Sequence, residues 1–122
     1  MKSADTQLTP HPGAAAQARA FVASQLSAWN VGRCREEALL ATSELVTNAV
    51  VHGEGPITVK VAEDARCVRL EVQDTGARVP AIRPSAGAQG GYGLRLVEGV
   101  CAKWGVSRLE EGKVVWCECE HR

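Results

Sequence analysis

Hydrophobic residues recur in the first half of the chain with the period of an amphipathic helix. Two such runs predict two helices, one from about Ala14 to Trp29 and one from about Cys34 to His52. Gly53 and Pro56 end the second run, because both residue types stop helices. The apolar positions are Ala18, Val22, Leu26 and Trp29 in the first run and Ala38, Ala41, Leu45 and Ala49 in the second.

The second half of the chain alternates apolar with polar residues, a pattern typical of strands. It predicts strands at Ile57–Ala62, Cys67–Gln73, Trp104–Leu109 and Val114–Glu118. A short polar connection between the first two strands favours an antiparallel hairpin. One more helix is predicted between the two pairs of strands, from Tyr92 to about Lys103.

Two segments show neither the period of a helix nor the alternation of a strand. Residues 1–13 are expected to form an N-terminal tail or a short edge strand around Gln7 to Thr9. Residues 75–91 are rich in proline, glycine and small residues, and a loop of this length is usually functional, so we expect a lid. Residues 14–119 would then form one domain that contains the lid.

Strands that pair mainly antiparallel, with helices gathered on one face, predict a two-layer α/β sandwich of the α+β type with a mainly antiparallel mixed sheet. The polar residues Lys60, Arg69 and Glu71 predict that the other face of this sheet meets solvent.

Composition narrows the function. A length of 122 residues fits one domain. The formal net charge is zero, which argues against a nucleic-acid partner, because such binding relies on a basic surface. No apolar run reaches the length of a membrane span and no signal segment opens the chain, so we expect a cytoplasmic protein without a membrane partner.

The five cysteines are Cys34, Cys67, Cys101, Cys117 and Cys119, and none of their spacings is Cys-x-x-Cys. Cys117 and Cys119 share the inner parity of the last strand and are predicted to be small core residues. Reduced thiols suit a cytosolic protein, and we expect neither a metal site nor a disulfide.

Three polar side chains follow one face of the second predicted helix. Glu44, Asn48 and His52 are four residues apart and lie at the edge of its apolar face. A carboxylate can act as a base, and a carboxamide oxygen is a ligand that Mg²⁺ accepts. The row also fits a partly solvated polar stripe, and His52 fits a C-terminal residue favoured by the helix dipole.

Two later segments favour a ligand site. The alternation of the 67–73 strand continues onto Asp74, which therefore points inward, and Gly76 follows in a turn. The glycine-rich segment 89–94 (QGGYGL) opens the last predicted helix, and the free N–H groups at such a junction suit phosphate.

The order of these segments resembles the GHKL, or Bergerat-fold, ATPases. More narrowly, ELVTNAVVH at 44–52, DTG at 74–76, GGYGLRLV at 90–97 and the closing GKVVW at 112–116 are similar to the small anti-sigma-factor serine/threonine kinases of bacteria. The resemblance covers roughly residues 14–119. It implies a histidine-kinase-like ATP-binding domain with the Bergerat fold, with ATP and Mg²⁺ as cofactors.

The resemblance also implies residue roles. Glu44 matches the general base, Asn48 the Mg²⁺ ligand and Asp74 the acceptor of the adenine amino group, while Gly76 matches the glycine that shapes the adenine pocket.

The lid segment that wraps the phosphates in this family matches four residues of the glycine-rich segment. These are Gly91 and Gly93, together with the backbone at Tyr92 and Leu94.

Two positions depart from the family pattern. Arg78 stands where many GHKL proteins have a second glycine, and Val114 stands where members commonly have a threonine in the last strand. Loss of that hydroxyl removes a hydrogen-bonding group near the adenine, which would weaken nucleotide binding by about 1 kcal/mol if its partner stays unpaired.

For function, the resemblance implies a serine/threonine protein kinase that transfers the ATP γ-phosphoryl group to a partner protein. It further implies a sigma factor and an anti-sigma antagonist as partners and, in many members, a homodimer. The alternative is a nucleotide-gated binding module with little or no catalysis, which Arg78 and Val114 favour. A sensor histidine kinase is disfavoured, because no phospho-acceptor helix precedes the domain.

Overall fold

The computed structural model describes residues 1–76, 97, 99 and 101–120. Their elements, in chain order, are β1 (Lys2–Leu8), α1 (Ala14–Ala28), α2 (Arg35–His52), β2 (Ile57–Glu63), β3 (Cys67–Asp74), β4 (Lys103–Leu109) and β5 (Gly112–Glu120). The two helices and four strands predicted from the hydrophobic pattern are therefore present, with bounds that shift by one or two residues.

The segment before β4 is described only in part. Val97 and Gly99 are helical, and the amide of Cys101 donates to the carbonyl of Val97 over 2.9 Å. The predicted end of this helix at Lys103 is wrong, because Lys103 already belongs to β4 and pairs with Glu118. Most of the lid predicted at 75–91, including Arg78, lies outside the described residues, as do Gly91, Tyr92, Gly93 and Leu94.

The described strands form one antiparallel sheet in the order β1-β2-β3-β5-β4. β1 is longer than the short edge strand expected around Gln7 to Thr9: it pairs with β2 from Lys2, opposite Glu63, to Leu8, opposite Ile57. The central strands β3 and β5 bring Asp74 opposite Lys113.

One face of the sheet carries the core. Along β3 and β5 every second residue is buried, as the alternation predicts. Both helices pack over this face. Each does so through a stripe of apolar residues that follow one another at intervals of about one helical turn. The buried helical residues include Ala14, Ala18, Val22 and Leu26 of α1 and Ala38, Ala41, Leu45 and Ala49 of α2. The predicted α+β two-layer sandwich is confirmed.

The opposite face is polar, as expected. The Arg69 guanidinium contacts the carboxylates of Glu71 and Glu118, each over 2.8 Å, and lies 4.3 Å from the ring centroid of Trp116. Because these side chains are about a quarter to a third exposed, the cluster shields the sheet without adding much stability.

Among the described residues, no helix combines the length and the apolar character that a bilayer span would need.

Candidate functional site

The polar row of α2 lies where the sequence puts it, at the edge of the buried face. Glu44, Asn48 and His52 are all half-buried, beside the buried residues Leu45 and Ala49. The Nδ2 atom of Asn48 is buried and has no hydrogen-bond partner within the described part of the chain. A buried amide nitrogen without a partner is costly in a folded protein, so this N–H group requires an acceptor that is not among the described residues.

Asp74 ends β3 and is only 2% exposed. Its Oδ1 atom accepts hydrogen bonds from the amide of Gly76 over 2.7 Å, the ammonium of Lys113 over 2.9 Å and the amide of Glu54 over 3.4 Å. Its Oδ2 atom accepts none from the described residues. Among the described residues, the carboxylate is thus fixed through Oδ1.

Gly53 lets the C-terminal end of α2 come close to this carboxylate. A Cβ atom at position 53 would lie 2.7 Å from Asp74 Oδ2 and 2.6 Å from the carbonyl oxygen of Ala49. Real Cβ atoms do not approach other atoms so closely, so only glycine fits without a shift. The amide of Thr75, which donates to the carbonyl of Glu54 over 2.9 Å, fastens the same junction. The α2 end and the Asp74 turn therefore form one site.

Lys113 is the residue of this site that the sequence reasoning missed. Its side chain is 4% exposed and shares the inner face of β5 with Val115 and Cys117. The signal was present, because the inward parity assigned to Cys117 and Cys119 extends back to position 113. A lysine is rarely predicted to be buried, since a buried ammonium needs an acidic partner.

Val114 has a different position from the one expected. It pairs with Gln73 and Ser107 and lies on the outer side of β5, whereas the inner residue opposite Asp74 is Lys113. The residue of β5 that contacts the Asp74 carboxylate is therefore Lys113.

The turn between β4 and β5 brings Lys113 into register with Asp74. Gly112 has φ +116°, in the region that favours glycine, and a Cβ atom there would clash with the carbonyl oxygen of Asp74. A larger residue at 112 would push β5 away from the end of β3 and separate the ion pair.

These residues fit ATP and Mg²⁺ in two respects. The Asp74 Oδ2 atom is an acceptor of the kind that an amino group of a base requires. The Nδ2 atom of Asn48 has no partner among the described residues, and the oxygen of the same carboxamide is a suitable ligand for a hard cation. Glu44, one helical turn before Asn48, has no hydrogen bond or ion pair to another described residue.

A profile of the histidine kinase-like ATPase domain matches residues 8–118 of the chain. The protein belongs to this family, and the resemblance read from its motifs is confirmed at that level.

A solved structure has the same fold. It is the crystal structure of the RsbU and RsbW domains of Rv1364c from Mycobacterium tuberculosis, with a TM-score of 0.74 and 22% sequence identity. The similarity covers 100% of this chain and 33% of that one, so the protein spans a third of the length of this neighbour. None of the curated proteins matches the chain.

Proposed function

We propose that this protein binds ATP between α2 and the end of β3 and transfers the γ-phosphoryl group to a serine or threonine hydroxyl of a partner protein. One observation carries the proposal: in a member of an ATPase-domain family, the buried Asp74 carboxylate lies against the end of the helix that bears Glu44 and Asn48.

Asp74 would hold the adenine. Its Oδ2 atom accepts the exocyclic amino group, while the amide of Gly76 and the Lys113 ammonium keep Oδ1 in a fixed direction. Because the carboxylate is desolvated, this hydrogen bond discriminates strongly against a base that presents an acceptor at the same position.

Asn48 would hold Mg²⁺ through its carboxamide oxygen. When bound, the metal ion neutralises phosphate charge and so favours phosphoryl transfer. Gly91 and Gly93, with the backbone at Tyr92 and Leu94, are proposed to donate N–H groups to the phosphates, as the motif resemblance implies.

Glu44 would act as the general base. Its half-buried carboxylate takes the proton of the attacking serine or threonine hydroxyl as the new P–O bond forms and the bond to ADP breaks. Because Glu44 and the proposed metal ligand Asn48 both lie on α2, one rigid helix would hold the general base next to the phosphate site.

The proposed regulatory partners follow from the motif resemblance. A sigma factor and its anti-sigma antagonist are the proposed protein partners, with a homodimer as the proposed assembly. The similarity in fold to a protein with an RsbW domain supports this proposal.

A second function, the nucleotide-gated binding module, is favoured by the ion pair between Lys113 and Asp74. The ammonium already neutralises the carboxylate that adenine would use, which weakens that carboxylate as an acceptor. A site with reduced nucleotide affinity is better suited to switching partner affinity than to rapid turnover.

Two measurements test these proposals. Calorimetric titration with ATP, with and without Mg²⁺, tests the nucleotide site, and no binding in either condition contradicts both functions. Incubation with γ-labelled ATP and the candidate antagonist encoded beside its gene separates them, because only a kinase transfers label to protein.

A further inference from the structure

Three thiols converge in the core at the end of the sheet remote from Asp74. Cys101, Cys117 and Cys119 are 8%, 0% and 2% exposed, and their sulfur atoms all lie within 4.8 Å of one another. The sulfur atoms of Cys101 and Cys119 are 3.0 Å apart, which is a thiol–thiol contact and not a disulfide bond.

The cluster results from the tertiary fold. Cys117 and Cys119 are neighbours on the inner face of β5, and Cys101 joins them from the turn before β4. The amide of Ala102 donates to the carbonyl of Glu118 over 2.9 Å and holds this turn against β5.

A fourth thiol lies at the edge of the cluster. Cys34 caps the N-terminal end of α2, is half-buried, and its sulfur lies 3.8 Å from the carbonyl oxygen of Cys119. Tetrahedral coordination of zinc by sulfur requires sulfur atoms about 3.8 Å apart, given a Zn–S bond of about 2.3 Å. Cys34 is not among the thiols whose sulfur atoms lie within 4.8 Å of one another, so its side chain would have to move to reach an ion held by the other three.

We infer that Cys101, Cys117 and Cys119 form a thiolate site for Zn²⁺, with Cys34 as the proposed fourth ligand. Buried thiolates select a thiophilic ion over Mg²⁺, which prefers oxygen ligands. Binding replaces S–H bonds with Zn–S bonds and releases the thiol protons to the buffer.

The site is separate from the nucleotide site. Lys113 and Cys119 are six residues apart along β5, which corresponds to about 20 Å at the rise of a strand. The ion would tie the start of α2 and the turn after Val97 to β5. A failure of zinc binding would therefore leave the proposed kinase function untouched.

The test uses the full chain, reduced and freed of metal under oxygen-free conditions, then titrated with Zn²⁺ against a chromophoric chelator. We expect one Zn²⁺ per chain and, with Co²⁺ as a probe, the charge-transfer absorption of cobalt–thiolate bonds. Cys101→Ser and Cys119→Ser should each lower the affinity for Zn²⁺ by more than about a hundredfold. This loss is larger than the one expected for a residue that only hydrogen-bonds a metal ligand.

Cys67→Ser is the matched control. Cys67 is a half-buried cysteine at the start of β3 and outside the cluster, so its loss should leave zinc affinity unchanged. Equal affinity in the parent, Cys101→Ser and Cys119→Ser would overturn the site, and unchanged affinity in Cys34→Ser would remove the fourth ligand.

Alkylation of the parent protein covers the case of a variant that does not fold. Zn²⁺ should protect Cys101, Cys117 and Cys119 from a thiol reagent in partly denatured protein, while Cys67 keeps reacting. Equal labelling of all these thiols with and without Zn²⁺ would overturn the inference.

Discussion

The ammonium of Lys113 lies 2.9 Å from Asp74 Oδ1, and both side chains are almost fully buried. A buried ion pair adds little net stability when intact, because desolvation of two charges offsets their attraction. Its loss is expensive, since the remaining charge has no water around it. The pair therefore couples the proposed adenine acceptor to the stability of the sheet, and this coupling can be measured.

Lys113→Thr should lower the free energy of unfolding by about 3–5 kcal/mol, as expected for a buried pair that loses one partner. ATP should bind more tightly to this variant, because the carboxylate is no longer neutralised. Thermal unfolding with and without ATP checks both effects. Lys60→Thr, the same change at an exposed lysine of β2, should alter neither value, and equal ATP stabilisation of both variants would contradict the coupling.

Asp74→Asn should weaken ATP binding roughly ten- to a hundredfold, because a charge-assisted hydrogen bond contributes about 1.5–3 kcal/mol. It should also destabilise the protein, since Lys113 would lose its carboxylate. Adding Lys113→Met to Asp74→Asn should restore stability but not nucleotide binding, and calorimetry on the single and double variants measures both. Recovery of ATP binding in the double variant would exclude Asp74 as the adenine acceptor.

Asn48→Ala should remove the Mg²⁺ dependence of ATP affinity. Stability should change little, because the variant removes a buried amide nitrogen that has no partner among the described residues. ATP titrations at several Mg²⁺ concentrations, beside a urea unfolding curve, provide the measurement. Thr47→Ala, at the exposed neighbouring position of α2, is the control. A variant that responds to Mg²⁺ like the parent would show that the metal has another ligand.

Glu44→Gln should lower the rate of phosphoryl transfer by about 10²–10⁴ while ATP affinity stays near that of the parent, because a general base acts in the transition state. Single-turnover transfer to the antagonist protein, measured beside an ATP titration, separates the two parameters. Glu36→Gln, in the first turn of the same helix, should leave both unchanged. Transfer at the parental rate by Glu44→Gln would exclude this base.

Gly53→Ala should destabilise the protein by about 1–3 kcal/mol and weaken ATP binding, because the new methyl group would push against Asp74 Oδ2 and the Ala49 carbonyl. The backbone at 53 is extended (φ −91°, ψ −172°), so the effect is steric and not conformational. Gly32→Ala is the matched control, since nothing lies within 4 Å of its added Cβ atom. Similar behaviour of the two variants would show that α2 can move away from Asp74.

The sequence alone determined the elements and the direction of most side chains. The period of the apolar residues predicted α1 and α2, and alternation along β3 was sufficient to bury Asp74. The order of the polar and glycine-rich segments led to the histidine kinase-like ATPase family, which the family match confirms. Local patterns suffice here because each reflects which side of one element faces the core.

Only the tertiary structure decided which of these side chains meet. Lys113 reaches Asp74 because β5 lies next to β3 in an order that skips β4, and an alternating pattern does not specify strand neighbours. Cys101 meets Cys117 and Cys119 because the chain turns back before β4, so no local spacing marks their convergence. Strand order and the close approach allowed by Gly53 depend on contacts between distant segments, whose free energy is shared over the whole core.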